Sequence, residues 1–535
     1  MSIIGQAGSR ITTLVSAVCN VNNNNSHGQN HHHHHPTTYH RNKACRSNIH
    51  MEKLIKETKQ VLYKMTSEDQ RDQSLVMIDA LQRLGIDYHF HDEIQSILSN
   101  HDAFKEFKNN KDGSFKKELI VDIKGLMGLY EASQLNMGWE DSVLDEAEEF
   151  SSRFLKSWMP NLYDHREVRL VENTLKYPYH KSLARFMAND FLKDFNGFKG
   201  SWENIVTELA RLDSDMIQTL HQKEVVQVSK WWNDKGLARE LNFARDQPAK
   251  WYLWSMAAIT DPKFSEERVE LTKAISFIYL IDDIFDVYGS LDQLTLFAKA
   301  IERWDFRMVE QLPECMKICF RALDEVTNEF SKKVMNQRGF NPVHIIRKSW
   351  SSLCNAFLIE SRWFASGNLP NAEDYLKNGI ISSGMPLTLL HMFFLLETNI
   401  NSTMAANDML NDSPLIFSSI STILRLSDDL GCNKDENQDG EDGSYVDCIM
   451  KDQKGCSEEM VRNRVMMMIS DEWKRINREC LIYSQHFSPI FMKSCVNFAR
   501  MIDNYYFLIA ENTPYDLIWD KLWYSMFLLK ISFFR

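Results

Sequence analysis

The apolar run Ala274-Ile275-Ser276-Phe277-Ile278-Tyr279-Leu280 leads directly into Ile281-Asp282-Asp283-Ile284-Phe285-Asp286. The spacing predicts a helix in which Asp282 and Asp286, at i and i+4, project from one face. Two carboxylates there repel each other, and burial adds a desolvation cost. They also come late in the helix, just before Gly289 as its stop, where the helix dipole disfavours anions. Nothing in the local sequence offsets this, since the nearest strong base is Lys273. A solvated helix end is the plain alternative, and the apolar run entering the cluster argues against it. Hard divalent cations are the natural compensation, because Mg²⁺ typically takes one or two carboxylates together with phosphate oxygens.

The rest of the chain reads as helix. Its 535 residues include only 20 Gly and 12 Pro, about 4% and 2% against the usual ~7% and ~5%. A sandwich or barrel needs more turn residues than this. Neither half shows the alternating pattern of a sheet, so the expected class is all-α with two helical domains. A net charge of −12 argues against a nucleic-acid partner. With 31 Phe, 17 Tyr and 13 Trp to bury, a wholly disordered chain is excluded. The ten cysteines leave everything between Cys45 and Cys315 bare, so reduced thiols are expected rather than a disulfide framework. No apolar run is read as reaching the ~18 residues of a membrane-spanning helix, and no membrane partner is expected.

Residues 1–50 contain no acid, several hydroxyls and the bases Arg10, Arg41, Lys43 and Arg46. This composition is that of an organelle leader, and residues 1–50 are expected to be disordered, with plastid the expected compartment and cytoplasm the alternative. The His31–His35 run is low complexity. Residues 51–224 read as amphipathic helices without chemistry of their own, and residues 225–535 as a second helical unit holding both acidic clusters.

The second cluster is Arg425-Leu426-Ser427-Asp428-Asp429-Leu430-Gly431-Cys432-Asn433-Lys434-Asp435-Glu436. Asp428, Cys432 and Glu436 fall at i, i+4 and i+8, one stripe of a helix, with Arg425 a turn earlier. Two carboxylate groups facing one cavity are a way to hold several Mg²⁺ ions around a diphosphate. Arg245, in Ala244-Arg245-Asp246-Gln247, offers a fixed cation for the same anion, although alone it also reads as an ordinary salt-bridging arginine. The Ser382-Ser383-Gly384-Met385-Pro386 stretch predicts a break beside the pocket.

These residues resemble those of plant terpene synthases. Asp282-Asp283-Ile284-Phe285-Asp286 is similar to their D-D-x-x-D motif, and Asp428 to Glu436 to their (N/D)-D-(L/I/V)-x-(S/T)-x-x-x-E motif. Arg245-Asp246-Gln247 stands where the family has R-x-R, with Gln247 in place of the second arginine. The resemblance covers about residues 52 to 505. It implies a class I α-helical catalytic bundle behind an inert, class II-like helical N-terminal domain that lacks the D-x-D-D acid. By the same resemblance Asp282, Asp286, Asp428, Cys432 and Glu436 are the metal positions, for three Mg²⁺ ions. Arg245, Arg425 and Trp254 would meet the substrate, a linear prenyl diphosphate, and the chain is expected to act as a monomer.

The absent tandem-arginine motif and the stretch Lys434 to Tyr445 look like the g-type angiosperm subfamily, which chiefly makes acyclic products such as linalool and nerolidol. Cys432 stands where the motif has Ser or Thr. A thiol is a soft, poor ligand for Mg²⁺, so weaker Mg²⁺ affinity and better relative activity with Mn²⁺ are expected. Beyond about Tyr506 the tail no longer resembles the family, whose C-terminal region supplies a lid. Two other readings stay open: a prenyl-chain-elongating transferase, and a decayed, non-catalytic homologue.

Overall fold

The computed structural model describes residues 38–65, 71–98, 115–138, 143–195, 201–397, 414–431, 443–453, 455–482, 487–510, 518 and 521–522. Among these the regular structure is helical, and they fall into two compact units that divide between Thr219 and Leu220.

The first unit contains α1 (Thr38–Lys64), α2 (Arg71–Arg83), α3 (His91–Leu98), α4 (Ile123–Ser133), α5 (Val143–Trp158), α6 (His165–Lys176) and α7 (Ala184–Phe195). It also holds the first part of α8 (Ser201–Lys235). Leu54, Leu62, Leu75, Ile78, Leu81 and Phe90 close its main core against Trp202, Val206 and Leu209 of α8. The expectation of disorder through residue 50 is corrected here, because α1 begins at Thr38. No Gly or Pro interrupts residues 37–64, so the helix propagates backwards from its buried C-terminal half. The His31–His35 run lies outside the described residues.

The second unit is built from α9 (Pro248–Ala258), α10 (Ser265–Asp283), α11 (Leu291–Arg303), α12 (Glu314–Arg338) and α13 (Val343–Ser366). It continues through α14 (Ala372–Ser382), α15 (Met385–Leu396), α16 (Leu415–Gly431), α17 (Tyr445–Asp452), α18 (Glu458–Ile482) and α19 (Pro489–Ala510). Helix α10 lies at its centre, packed by α9, α12 and α15, while α16 packs on α14, α15, α18 and α19. A buried ion pair fixes the N-terminal half of α10. Arg268, with no solvent exposure, holds both Glu224 oxygens at 2.7 and 2.8 Å and the carbonyls of Ile259 and Asp261. That arrangement leaves neither buried charge uncompensated.

Two local expectations change. The stretch Ala372–Leu396 is long and apolar enough to cross a membrane by length and composition, contrary to the reading that no run reaches that length. In its most apolar window 78% of the surface is buried inside the protein, so its hydrophobicity is that of a core element. It is also broken, as predicted, at Gly384, whose φ of +69° separates α14 from α15 just before Pro386. The second change concerns α10, which does not continue as an α-helix to Val287. It ends at Asp283 and passes into a π turn, Ile284–Tyr288, closed by an i to i+5 bond from Gly289 N to Ile284 O of 3.0 Å.

Candidate active site

The π turn places the first acidic motif. Inserting a wider turn lets Ile284 and Phe285 stay in the core, where Phe285 meets Phe297 and Phe357 at ring separations of 6.2 and 5.6 Å. Asp283 is buried, Asp282 half-buried and Asp286 exposed. The simple i, i+4 face expected for Asp282 and Asp286 is therefore corrected: the register widens between them. Single π turns of this kind recur at functional sites.

Arg245 supplies the compensation missing from the local sequence. Its backbone N–H donates to Asp283 Oδ2 at 2.8 Å. The guanidinium pairs with Asp282, and its Nε lies 2.8 Å from Asp283 Oδ1 at an angle too oblique for a hydrogen bond. It also sits over the Tyr279 ring at 4.9 Å. The neighbours of Arg245 hold it in place. Asp246 accepts a 2.8 Å bond from Trp232 Nε1, Phe243 stacks on Tyr288 of the π turn, and Pro248 opens α9. Gln247, at the N-cap of α9, makes no side-chain capping bond.

The second cluster lies on α16. Asp429 is buried and accepts from Tyr445 N at 2.9 Å and Tyr375 Oη at 3.1 Å, while Arg425 Nε approaches to 3.2 Å. Burial pushes its carboxyl up to about 6 despite Arg425. Arg425 also bonds the Tyr375 hydroxyl, lies over that ring at 4.9 Å and comes within 3.9 Å of Glu360. It reaches them past Gly379 of α14, where a Cβ would meet its Cγ and Cδ at 2.9 Å. Asp428 accepts a 2.5 Å bond from the Tyr506 hydroxyl on α19. The described part of α16 ends at Gly431, and Cys432 and Glu436 lie outside the described residues.

The two clusters interact. Burial raises the carboxyl of Asp282, Arg245 pulls it back, Asp428 raises it again and Arg425 lowers it. Glu360 joins them from α13: burial raises it, Arg425 opposes the shift, and Asp282 adds to it. Ser382 Oγ donates to Glu360 at 2.6 Å. Four carboxylates, Asp282, Asp286, Asp428 and Glu360, and two arginines thus come from two motifs and a third helix. Among the described residues no three His, Cys, Asp or Glu side chains converge closely enough to hold one ion. Spread hard-oxygen donors suit Mg²⁺, which completes its shell with waters and phosphate oxygens.

Trp254 closes one side. It is buried, donates to the Tyr279 hydroxyl at 3.1 Å and lies beside Tyr505 at 6.2 Å. Sequence reasoning did not single out Glu360, Tyr375, Tyr506, or Asp283 and Asp429 as anchors for the arginines. Asp283 and Asp429 stood inside the motifs, but Glu360 is one acid in an ordinary helix and carried no signal.

Comparison with known proteins fits this geometry. Residues 233–475 match the terpene synthase family metal binding domain, and residues 24–101 and 99–175 match the terpene synthase N-terminal domain. A Ricinus communis protein named "Probable terpene synthase 13" is 49% identical over 488 residues, 84% of each chain. An (E)-nerolidol synthase of Cannabis sativa is 44% identical, covering 81% of this chain and 85% of its own. An S-(+)-linalool synthase, chloroplastic, of Arabidopsis thaliana is 40% identical, covering 87% and 86%. The isoprene synthase of grey poplar, solved with three Mg²⁺ ions and dimethylallyl-S-thiolodiphosphate, superposes with a TM-score of 0.82 at 32% identity, covering 91% of this chain and 97% of that one. With both domains matched and the relatives aligned over most of their length, the chain belongs to the plant terpene synthase family, whose members are lyases acting on prenyl diphosphates.

Proposed function

We propose that this chain ionises a linear prenyl diphosphate in the presence of Mg²⁺ and releases an acyclic tertiary alcohol, linalool from geranyl diphosphate or nerolidol from farnesyl diphosphate. The observation that carries the reading is the electrostatic coupling of Asp282 with Asp428 and Arg425 across two helices. Mg²⁺ held by Asp282, Asp286, Asp428 and Glu436, with Cys432 beside them, supplies positive charge to the departing diphosphate. Arg245 and Arg425 are fixed by carboxylates and by tyrosine rings, so they present guanidinium groups to that anion with little reorganisation. Tyr279 and Trp254 give the allylic cation an aromatic wall. Water captured at the branched carbon completes the alcohol.

The subfamily resemblance and the nerolidol and linalool synthases among the relatives support acyclic products. Other relatives are named tricyclene synthase and neryl diphosphate diphosphatase, so the product is decided by experiment. Gas chromatography after separate incubation with geranyl and farnesyl diphosphate should give linalool and nerolidol. Cyclic products would replace this reading. Longer diphosphates on adding isopentenyl diphosphate would favour a chain-elongating transferase, and no diphosphate release would favour a decayed homologue. A plastid location is supported by the acid-poor residues 1–50 and by relatives named chloroplastic. A fluorescent fusion of that leader that stayed in the cytosol would shift the reading towards nerolidol.

A further inference from the structure

Along the last turns of α10, residues 274–277, 280, 281 and 283 are buried, whereas Ile278, Tyr279 and Asp282 keep partial solvent access. These three stand at i, i+1 and i+4, one stripe of the helix. Helices α9, α12 and α15 pack around α10, so this stripe borders the internal space into which Asp282 faces Arg425 and Asp428. Tyr279 is already engaged: it lies under Arg245, bonds Trp254 and stacks on Trp251 at 6.2 Å. Ile278 is the apolar side chain on the stripe, one turn of about 5.4 Å below Asp282.

Opposite Ile278 is Gly384. A Cβ on Gly384 would lie 2.6 Å from Ile278 Cγ2 and 3.2 Å from its Cδ1. With φ at +69° and no side chain, the backbone of the α14–α15 break comes closer to Ile278 than another residue would allow. The break is itself secured, since Thr388 Oγ1 donates to Gly384 O at 3.0 Å and Ser383 Oγ to Ile380 O at 2.8 Å. The isoleucine therefore rests on a fixed backbone and cannot retreat towards α15.

We infer that Ile278, seated on Gly384, sets how long a prenyl tail this site accepts. The inference rests on the function proposed above. A diphosphate gripped at Asp282 sends its tail away from the carboxylates, along the stripe and onto Ile278. Geranyl and farnesyl tails differ by one isoprene unit, and truncating Ile278 to Ala frees a substantial part of that volume. Filling the same place with Phe removes it.

The test uses the full chain with Mg²⁺ and measures affinity for geranyl and farnesyl thiolodiphosphates by calorimetry, alongside diphosphate release from the true substrates. Ile278→Ala should raise the farnesyl-to-geranyl affinity ratio about tenfold, and Ile278→Phe should lower it by a similar factor. Ile278→Val should fall between the native chain and Ile278→Ala, and it keeps the series readable if the Phe variant does not fold. A merely structural role would weaken both ligands together. Ratios that stay within about twofold of the native value in Ile278→Ala and Ile278→Val overturn the inference. If the native chain binds the analogues but releases no diphosphate from the substrates, the proposed function fails while the ratio still decides the role of Ile278. Binding of neither analogue overturns both.

Discussion

Asp282 stands between opposing charges. Arg245 pairs with it, Asp428 repels it from the facing helix, and burial penalises its ionised form. Arg245 also neutralises Asp283 beneath it, so the first motif is charge-compensated by an arginine 37 residues earlier in the chain. Replacing Asp282 by Asn keeps the shape and removes the charge. Turnover at saturating Mg²⁺ should fall roughly 10²-fold or more while helical circular dichroism is unchanged. Asp286→Asn should act in the same direction, and near-normal rates in both variants would remove these residues from the metal site. Cys432→Ser restores a hard oxygen at nearly the same size and should lower the Mg²⁺ concentration needed for half-maximal activity. Superimposable Mg²⁺ titrations would mean the thiol is no handicap. Glu360 shows why such sites are partly illegible in a sequence. Leu358-Ile359-Glu360-Ser361-Arg362 has no motif, and only the approach of α13 to α16 and α10 gives its carboxylate a role.

Helices α10 and α14 depart from regularity where chemistry is placed. The apolar periodicity of residues 274–280 predicts the helix correctly, but it also predicts an α register through Asp286 that the π turn changes. No residue type marks that turn in advance. It is held by the burial of Phe285 and the stacking of Phe243 on Tyr288, both contacts between distant segments. Gly384 is the opposite case, a break readable from Gly and Pro alone. Gly379 lies between the two. It sits inside α14, where glycine costs about 1 kcal/mol relative to alanine, yet it leaves the channel through which Arg425 passes. Gly379→Ala should therefore change the unfolding midpoint little, since the helix gains what the displaced arginine loses. Activity should fall at least about tenfold, because the guanidinium must leave Tyr375 and Asp429. Equal activity in the two proteins, measured as kcat/KM, would show that Arg425 can reach its partners by another path.

The second unit also buries a titratable group that its chemistry does not use. His391 on α15 is 2% exposed, donates from Nδ1 to Leu387 O at 2.8 Å and touches the rings of Phe330 and Trp350. Burial pulls its pKa down to about 4. The unfolded chain, with an ordinary value of about 6.5, then takes up the proton first. Stability from the neutral ring is present above pH ~6.5 and is lost as pH falls towards 4, by roughly 3 kcal/mol at most. The midpoint of thermal unfolding should drop across that window, and His391→Phe should flatten the slope there; an unchanged slope would show that other groups carry it. The chain as a sequence specified the all-α class, the helix break and the two acidic motifs, because periodicity, turn residues and carboxylate spacing are properties of neighbours along the backbone. It did not specify that Arg245 and Arg425 are anchored by Asp283 and Asp429, that Glu360 and Tyr506 join them, or that Ile278 rests on Gly384. Desolvation, charge compensation and close packing act through space between residues tens to hundreds of positions apart, and only the folded chain brings those partners together.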